Sequence, residues 1–285
     1  DGQANPQEHI NLCLEVVTEF KQIYLTFYSS FETDVKEALL HTLLQITVDV
    51  FANAQIVGAL ADTLLDTVFF IWIKTGRNTT EMWSALQQKI PTLFAFIQPI
   101  KQIKIKLIQL TLLIKSHIYP MRVSKKKVAA TTKGNFETIR KDLSSSVSPD
   151  DKVPLPAIPM DSNITEIQWS VEDLIFVWSQ LLNVLRDINS VSDPMIHSEG
   201  IQAISDIIEI LQQAEENIPQ NARKKMKYPT LNLVDIFGRL LFEAALISSS
   251  SFITGKAYAI GTLCRMIVRH NIDSVPLELL SHFYA

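Results

Sequence analysis

From Ile164 to Gln213 the apolar residues recur at steps of three and four, a period that admits helix and excludes strand. Ile167, Val171, Leu174, Ile175, Trp178, Leu181, Leu182, Leu185 and Ile188 form one continuous stripe, with Glu172, Gln180, Asn183, Arg186 and Asp187 mostly off it. The run Asn189-Ser190-Val191-Ser192-Asp193-Pro194 then breaks the pattern. Asp193 predicts an N-cap, and the fixed φ of Pro194 suits a first helical position. The helix that follows is expected to turn Ile196, Ile204, Ile207, Ile208 and Leu211 inward and Gln202, Asp206, Glu209 and Gln212 outward. Two such helices joined by a short turn predict an antiparallel hairpin, the unit stacked in α-solenoids.

The same period runs through the flanks. Glu8 to Tyr28 carries Cys13, Val16, Val17, Phe20, Tyr24 and Phe27 at helical spacing. Between Thr33 and Asn53, Leu40, Leu44, Thr47 and Phe51 share one side, and Val35, Leu39, Leu43, Ile46 and Val50 cover the next. A surface this wide predicts contact with more than one neighbour. Ile56 to Lys74 is apolar almost all round, which predicts the most buried helix of the N-terminal half, closed by Gly76. Thr80 opens a helix expected to stop near Pro91, and Ile100 to His117 another with Ile103, Leu107, Leu110 and Ile114 inward. Residues 119–163 turn rich in serine, proline and lysine, which predicts a flexible linker between helical subregions 1–118 and 164–285. After the basic connector Arg223–Lys227, helices are expected from Leu231 to Ala245 and from about Phe252 to Arg269, then a short segment from Val275 to Tyr284. The expected fold is all-α: a HEAT-like α-solenoid of antiparallel helix pairs with imperfect repeats.

Composition agrees: of 285 residues, 47% are hydrophobic and only 8 are glycine, as an ordered helical core requires. The run Thr67–Ile73 is far shorter than the roughly 20 apolar residues a bilayer demands. Cys13 and Cys264 both sit in apolar helical patterns, which predicts buried free thiols in a reducing, cytoplasmic compartment. The chain opens at Asp1 without methionine, as expected of a piece of a longer protein.

The sequence contains no P-loop, GxSxG or HExxH pattern and no closely spaced Cys/His set. No catalytic residue, cofactor or metal is therefore expected. His41 and His117 lie in helical patterns and read as partly buried or surface side chains; Asp62 and Asp66, one turn apart, read as the polar stripe of an apolar helix rather than a catalytic pair. Charge is the uneven feature. Net charge is −4, yet no Asp or Glu occurs between Met82 and Phe136, where ten lysine and arginine residues include Lys101, Lys104, Lys115, Lys125, Lys126 and Lys127. These six are the candidate surface for an anionic membrane or an acidic partner. Nucleic acid is not expected, because aromatic residues do not interleave with the basic ones.

The string Val177-Trp178-Ser179-Gln180-Leu181-Leu182-Asn183-Val184-Leu185-Arg186-Asp187-Ile188-Asn189, followed by Asp193-Pro194-Met195-Ile196-His197, resembles the α subunit of the Ral GTPase-activating protein family, which is related to tuberin. Ile71-Trp72-Ile73-Lys74 with Glu81-Met82-Trp83, Phe237–Ala245, Gly255–Tyr258, Cys264 and His282-Phe283-Tyr284 extend the resemblance over nearly all of the chain except 119–163. In the family that gap holds a much longer serine-rich insert. The resemblance implies membership of a complex that speeds GTP hydrolysis on small GTPases of Ral or Rheb type. It also implies partnership with a β-like subunit or self-association, the GTPase being met through the parent chain. The family's catalytic domain, which supplies an asparagine near the C-terminus, has no counterpart here. The rival readings are a HEAT-type trafficking adaptor that binds partner proteins or peptides, and an enzyme whose site escapes motif recognition. Co-purification of a GAP-domain chain separates the first rival, and a GTPase assay the second.

Overall fold

The computed structural model describes residues 6–53, 55–75, 80–119, 158–218, 220–223 and 226–269. Among them every regular element is helical. The α-helices are α1 (Pro6–Phe27), α2 (Thr33–Ala52), α3 (Val57–Thr75), α4 (Thr80–Leu93), α5 (Ile97–Ile118), α6 (Ser162–Thr165), α7 (Val171–Asn183), α8 (Pro194–Glu216), α9 (Gln220–Arg223), α10 (Leu233–Ala245) and α11 (Ile253–Arg269). The Gly76 cap, most of the 119–163 linker, Lys125–Lys127 and the Val275–Tyr284 segment lie outside the described residues.

The long helices form two rows. In the first, α1 packs on α3, α3 on α5, α5 on α8 and α8 on α11. In the second, α2 packs on α4; Gln87 of α4 donates to Gln180 of α7 at 3.3 Å; and Trp178 of α7 meets Phe237 of α10 edge-on, centroids 6.2 Å apart. The rows join where α2 meets α3, α7 meets α5, and α10 meets α11. This corrects the expected hairpin. Its two helices, α7 and α8, do not pack chiefly on each other: α7 leans on α5, and α8 on α5 and α11 alike.

Local chemistry sets the boundaries. Asp193 accepts from the backbone N–H groups of Met195 and Ile196, and Pro194 starts α8 as expected. Ser170 caps α7 by accepting from Asp173 N, so α7 begins at Val171 and not at Ile164. Residues 162–165 form only a separate turn, capped by Asp161. Pro99 falls inside the first turn of α5, where its missing N–H leaves no helical bond unmade, so that helix starts three residues earlier than expected. α4 continues past Pro91 to Leu93.

One hydrophobic cluster runs through helices on both sides of the 120–157 segment. α3 buries Leu60, Leu64, Leu65, Phe69, Phe70 and Trp72, as its all-round apolarity predicts; each such side chain contributes about 1.5–3 kcal/mol of burial. The last residues of the expected linker are held in place: Ile158 and Met160 pack on this cluster, and Gln109 of α5 donates to Pro159 O at 2.7 Å. Three sets of expectations fail. Glu209 and Gln212, read as outward, are buried, because α11 covers that side of α8. Val16 and Phe27, read as part of an inward stripe, are exposed on α1. Cys13 and Cys264 are both free and half-buried rather than fully buried.

Candidate functional site

Most ion pairs among the described residues cross between helices of the first row; Lys106–Asp161, whose acid precedes α6, and the exposed Arg239–Glu243 pair within α10 do not. Lys21 of α1 reaches Asp66 of α3 at 2.7 Å. Lys106 of α5, with 1% of its side chain exposed, also reaches Asp66 at 2.7 Å and Asp161 at 3.1 Å. Lys104, two residues away and so on the opposite side of α5, faces α8, with Glu199 at 3.1 Å and Asp206 at 3.2 Å. Glu209 of α8 takes Arg269 of α11 at 3.0 Å and Arg265 at 3.5 Å. All four junctions of the row are thus closed by an acid–base pair, and the row alternates in sign from α1 to α11: cationic, anionic, cationic, anionic, cationic.

The environment tunes these groups. Burial pushes the Asp66 carboxyl up, but the Lys106 and Lys21 ammonium groups outweigh it and hold the carboxyl below its ordinary value. Asp206 goes the other way: burial pushes it up further than Lys104 pulls it down. These are the settings of structural ion pairs; each carboxylate has a designated ammonium or guanidinium.

The residues of the Asp187–His197 string build a second joint. Asn189 Nδ2 donates to Leu240 O of α10 at 2.9 Å, which leaves its Oδ1 to accept from His197 Nε2 at 3.2 Å. The proton of neutral His197 therefore sits on Nε2. The ring is fully buried, edge-on to Phe252 with centroids 5.1 Å apart. Its Nδ1 abuts Gly255, where a Cβ would come within 2.2 Å of that nitrogen; only glycine fits.

Burial holds the His197 pKa below its ordinary 6.5. Protonation would place a second N–H on the buried Nδ1, which has no hydrogen-bond partner. The unfolded chain therefore binds this proton more readily than the folded one. The contribution to stability is complete above the unfolded pKa and declines as pH falls below it, by at most about 1.4 kcal/mol per pH unit. Urea midpoints measured from pH about 7.5 down to about 5.5 should fall more steeply for the native chain than for His197→Gln; parallel curves would contradict this.

An open depression is lined by Leu25, Tyr28, Lys74, Asn163, Glu166, Ile167 and Gln168. Burial pulls the Lys74 ammonium below its usual value while Glu166 raises it. The Lys74 Nζ stands 5.2 Å from the Tyr28 ring centroid. No histidine, cysteine or serine lines this depression, so it does not bring a nucleophile and its base together. No group of three or more potential metal ligands occurs among the described residues, and no described helix is long and apolar enough to cross a membrane.

The basic residues singled out in the sequence are dispersed. Lys101 is exposed, Lys115 is half-buried, and Lys125–Lys127 lie outside the described residues. Lys104 is drawn away from that candidate basic face, because Glu199 and Asp206 hold its ammonium inside the α5–α8 junction. Asp62 is exposed while Asp66 is in the row, so the two do not act as a pair. His41 is exposed, and His117 Nδ1 lies 2.9 Å from Leu113 O on its own helix. Sequence reasoning missed Lys106, Glu209 and His197. The available signal was a charged or polar residue in an otherwise apolar helical row.

Residues 5–121 match the family model described as the RALGAPB N-terminal domain. A Rap-GAP domain-containing protein of Dictyostelium discoideum is 24% identical over 288 residues, which cover 97% of this chain and 15% of that protein. The human Ral GTPase-activating protein subunit alpha-1 is 24% identical over 119 residues, 41% of this chain and 6% of that subunit. Its rat counterpart is 23% identical over 122 residues. The chain thus spans 15% or less of the length of these curated relatives. No solved structure matches it.

Proposed function

We propose, from the relationship of this chain to the N-terminal region of Ral GTPase-activating protein subunits, that it is a non-catalytic scaffold segment of a complex acting on small GTPases of Ral or Rheb type. In this reading the two rows are a HEAT-like α-solenoid, with subregions 1–118 and 164–285 as its two parts. The partners are a β-like subunit or a second copy in the cytoplasm, with GTP hydrolysis carried out by a domain elsewhere in the assembly. One observation carries the reading: the ionisable groups that converge do so as cross-links between neighbouring helices, and not around a cavity. Exposed Lys101 offers a secondary contact to an anionic surface; Lys104 does not.

The test has two arms. Added alone to GTP-loaded Ral, the chain should leave hydrolysis at its intrinsic rate. Expressed in cells, the tagged chain should bring down a subunit that carries a GAP domain. Acceleration by the chain alone, or recovery without any such subunit, would reject the proposal.

A further inference from the structure

We propose that the outer side of α1 docks a basic, amphipathic helix of another chain; the inference rests on the scaffold reading above and names the chemistry of the partner. Leu12, Val16, Ile23 and Phe27 stand at i, i+4, i+11 and i+15 of one helix and so share a face along roughly 22 Å. Their exposures are 57, 59, 52 and 50%, whereas Val17, Phe20 and Tyr24 of the same helix turn in toward the core. Single exposed apolar residues are ordinary, but four aligned on one face are the pattern by which a helix takes a helical partner.

Charge identifies that partner. Glu8, Glu15 and Glu19 are exposed along one flank of the stripe. The α1 lysine, Lys21, points the other way, into the α3 junction. Each of the four junctions within the row joins acid to base. The open junction beyond α1 presents acid, so a helix that continues the row there must supply base. An anionic membrane is disfavoured, because the three carboxylates would face lipid headgroups of the same sign. A second copy is disfavoured too, since two α1 faces brought together would oppose carboxylate to carboxylate. The outer side of α11 also exposes Ile253, Ile260 and Val268, but beside them stands a single half-buried charge, Lys256, against the three exposed carboxylates of α1.

The probes are two synthetic helical peptides with leucines at i, i+4, i+11 and i+15, one flanked by lysines and the other by glutamates, titrated with the 285-residue chain by fluorescence anisotropy. The lysine peptide should bind at least about tenfold more tightly, and added salt should weaken it. Val16→Asp and Ile23→Asp should each weaken it about tenfold or more without moving the urea midpoint, because both side chains lie outside the core. Glu15→Lys with Glu19→Lys should reverse the preference between peptides. The proposal is overturned if the lysine peptide does not bind, if both peptides bind alike, or if the stripe variants bind like the native chain. Stripe-dependent binding to phosphatidylserine vesicles, or stripe-dependent dimers in sedimentation, would equally overturn it. Charge-selective binding with no GAP-domain subunit recovered would sink the scaffold reading alone. Recovery of that subunit without peptide discrimination would sink only this surface.

Discussion

Trp178→Ala is expected to lower the unfolding free energy by about 4 kcal/mol, since a buried tryptophan truncated to alanine loses its transfer energy and leaves a cavity. Trp178 is 2% exposed, packs edge-on against Phe237 of α10, and donates from Nε1 to Thr111 Oγ1 of α5 at 2.9 Å. It therefore ties the two rows together as well as filling space. Thr111 Oγ1 also donates to Leu107 O, so its lone pairs face the indole N–H. Trp178→Phe keeps most of the volume and loses the donor; its cost should be nearer 1–2 kcal/mol. Chemical unfolding followed by far-ultraviolet circular dichroism measures both variants. A loss below about 1 kcal/mol for the alanine variant would show that the site collapses without harm and that the rows do not depend on it.

The second large effect is expected at Lys106. Its ammonium is buried between Asp66 and Asp161, and removing one member of a buried ion pair costs more than the pair contributes, because the partner keeps its charge. Lys106→Ala should destabilise by about 3 kcal/mol, the low end for a broken buried pair, since Asp66 keeps Lys21 and remains in reach of water. Lys106→Met retains the stem and isolates the charge. Adding Asp66→Asn and Asp161→Asn to Lys106→Met should restore part of the loss, a recovery that a packing defect would not show. Linkage adds a second signature. The native Asp66 pKa is depressed, so its contribution is complete above the unfolded value of 3.8 and disappears as pH falls through the native one. In Lys106→Met the acid limb of the stability curve should be flatter.

Helix positions and caps were legible in the sequence because their causes are local. The Asp193-Pro194 start and the burial of Leu174, Trp178, Leu181, Leu185 and Ile188 follow from neighbours within a few residues. Lys106, Asp66 and Glu209 looked like solvent-facing residues because their partners lie tens of residues away, on helices whose adjacency periodicity does not encode. The hairpin misreading has the same origin: an apolar stripe tells a helix to bury a face, not which helix will cover it. α1 shows the converse, since its stripe reads as core although Val16 and Phe27 are exposed. The candidate basic surface failed at Lys104 because a run of lysines without nearby acid in the sequence can still meet acid in space.

The alternation of sign along α1, α3, α5, α8 and α11 has a consequence for how such arrays change in length. Delete any one of the three middle members and the survivors on either side confront each other with matching charge at close quarters. Delete two adjacent members and the complementarity returns. Growth and shrinkage of this architecture should therefore obey a parity rule, with first-row members gained or lost in twos, each accompanied by its second-row companion.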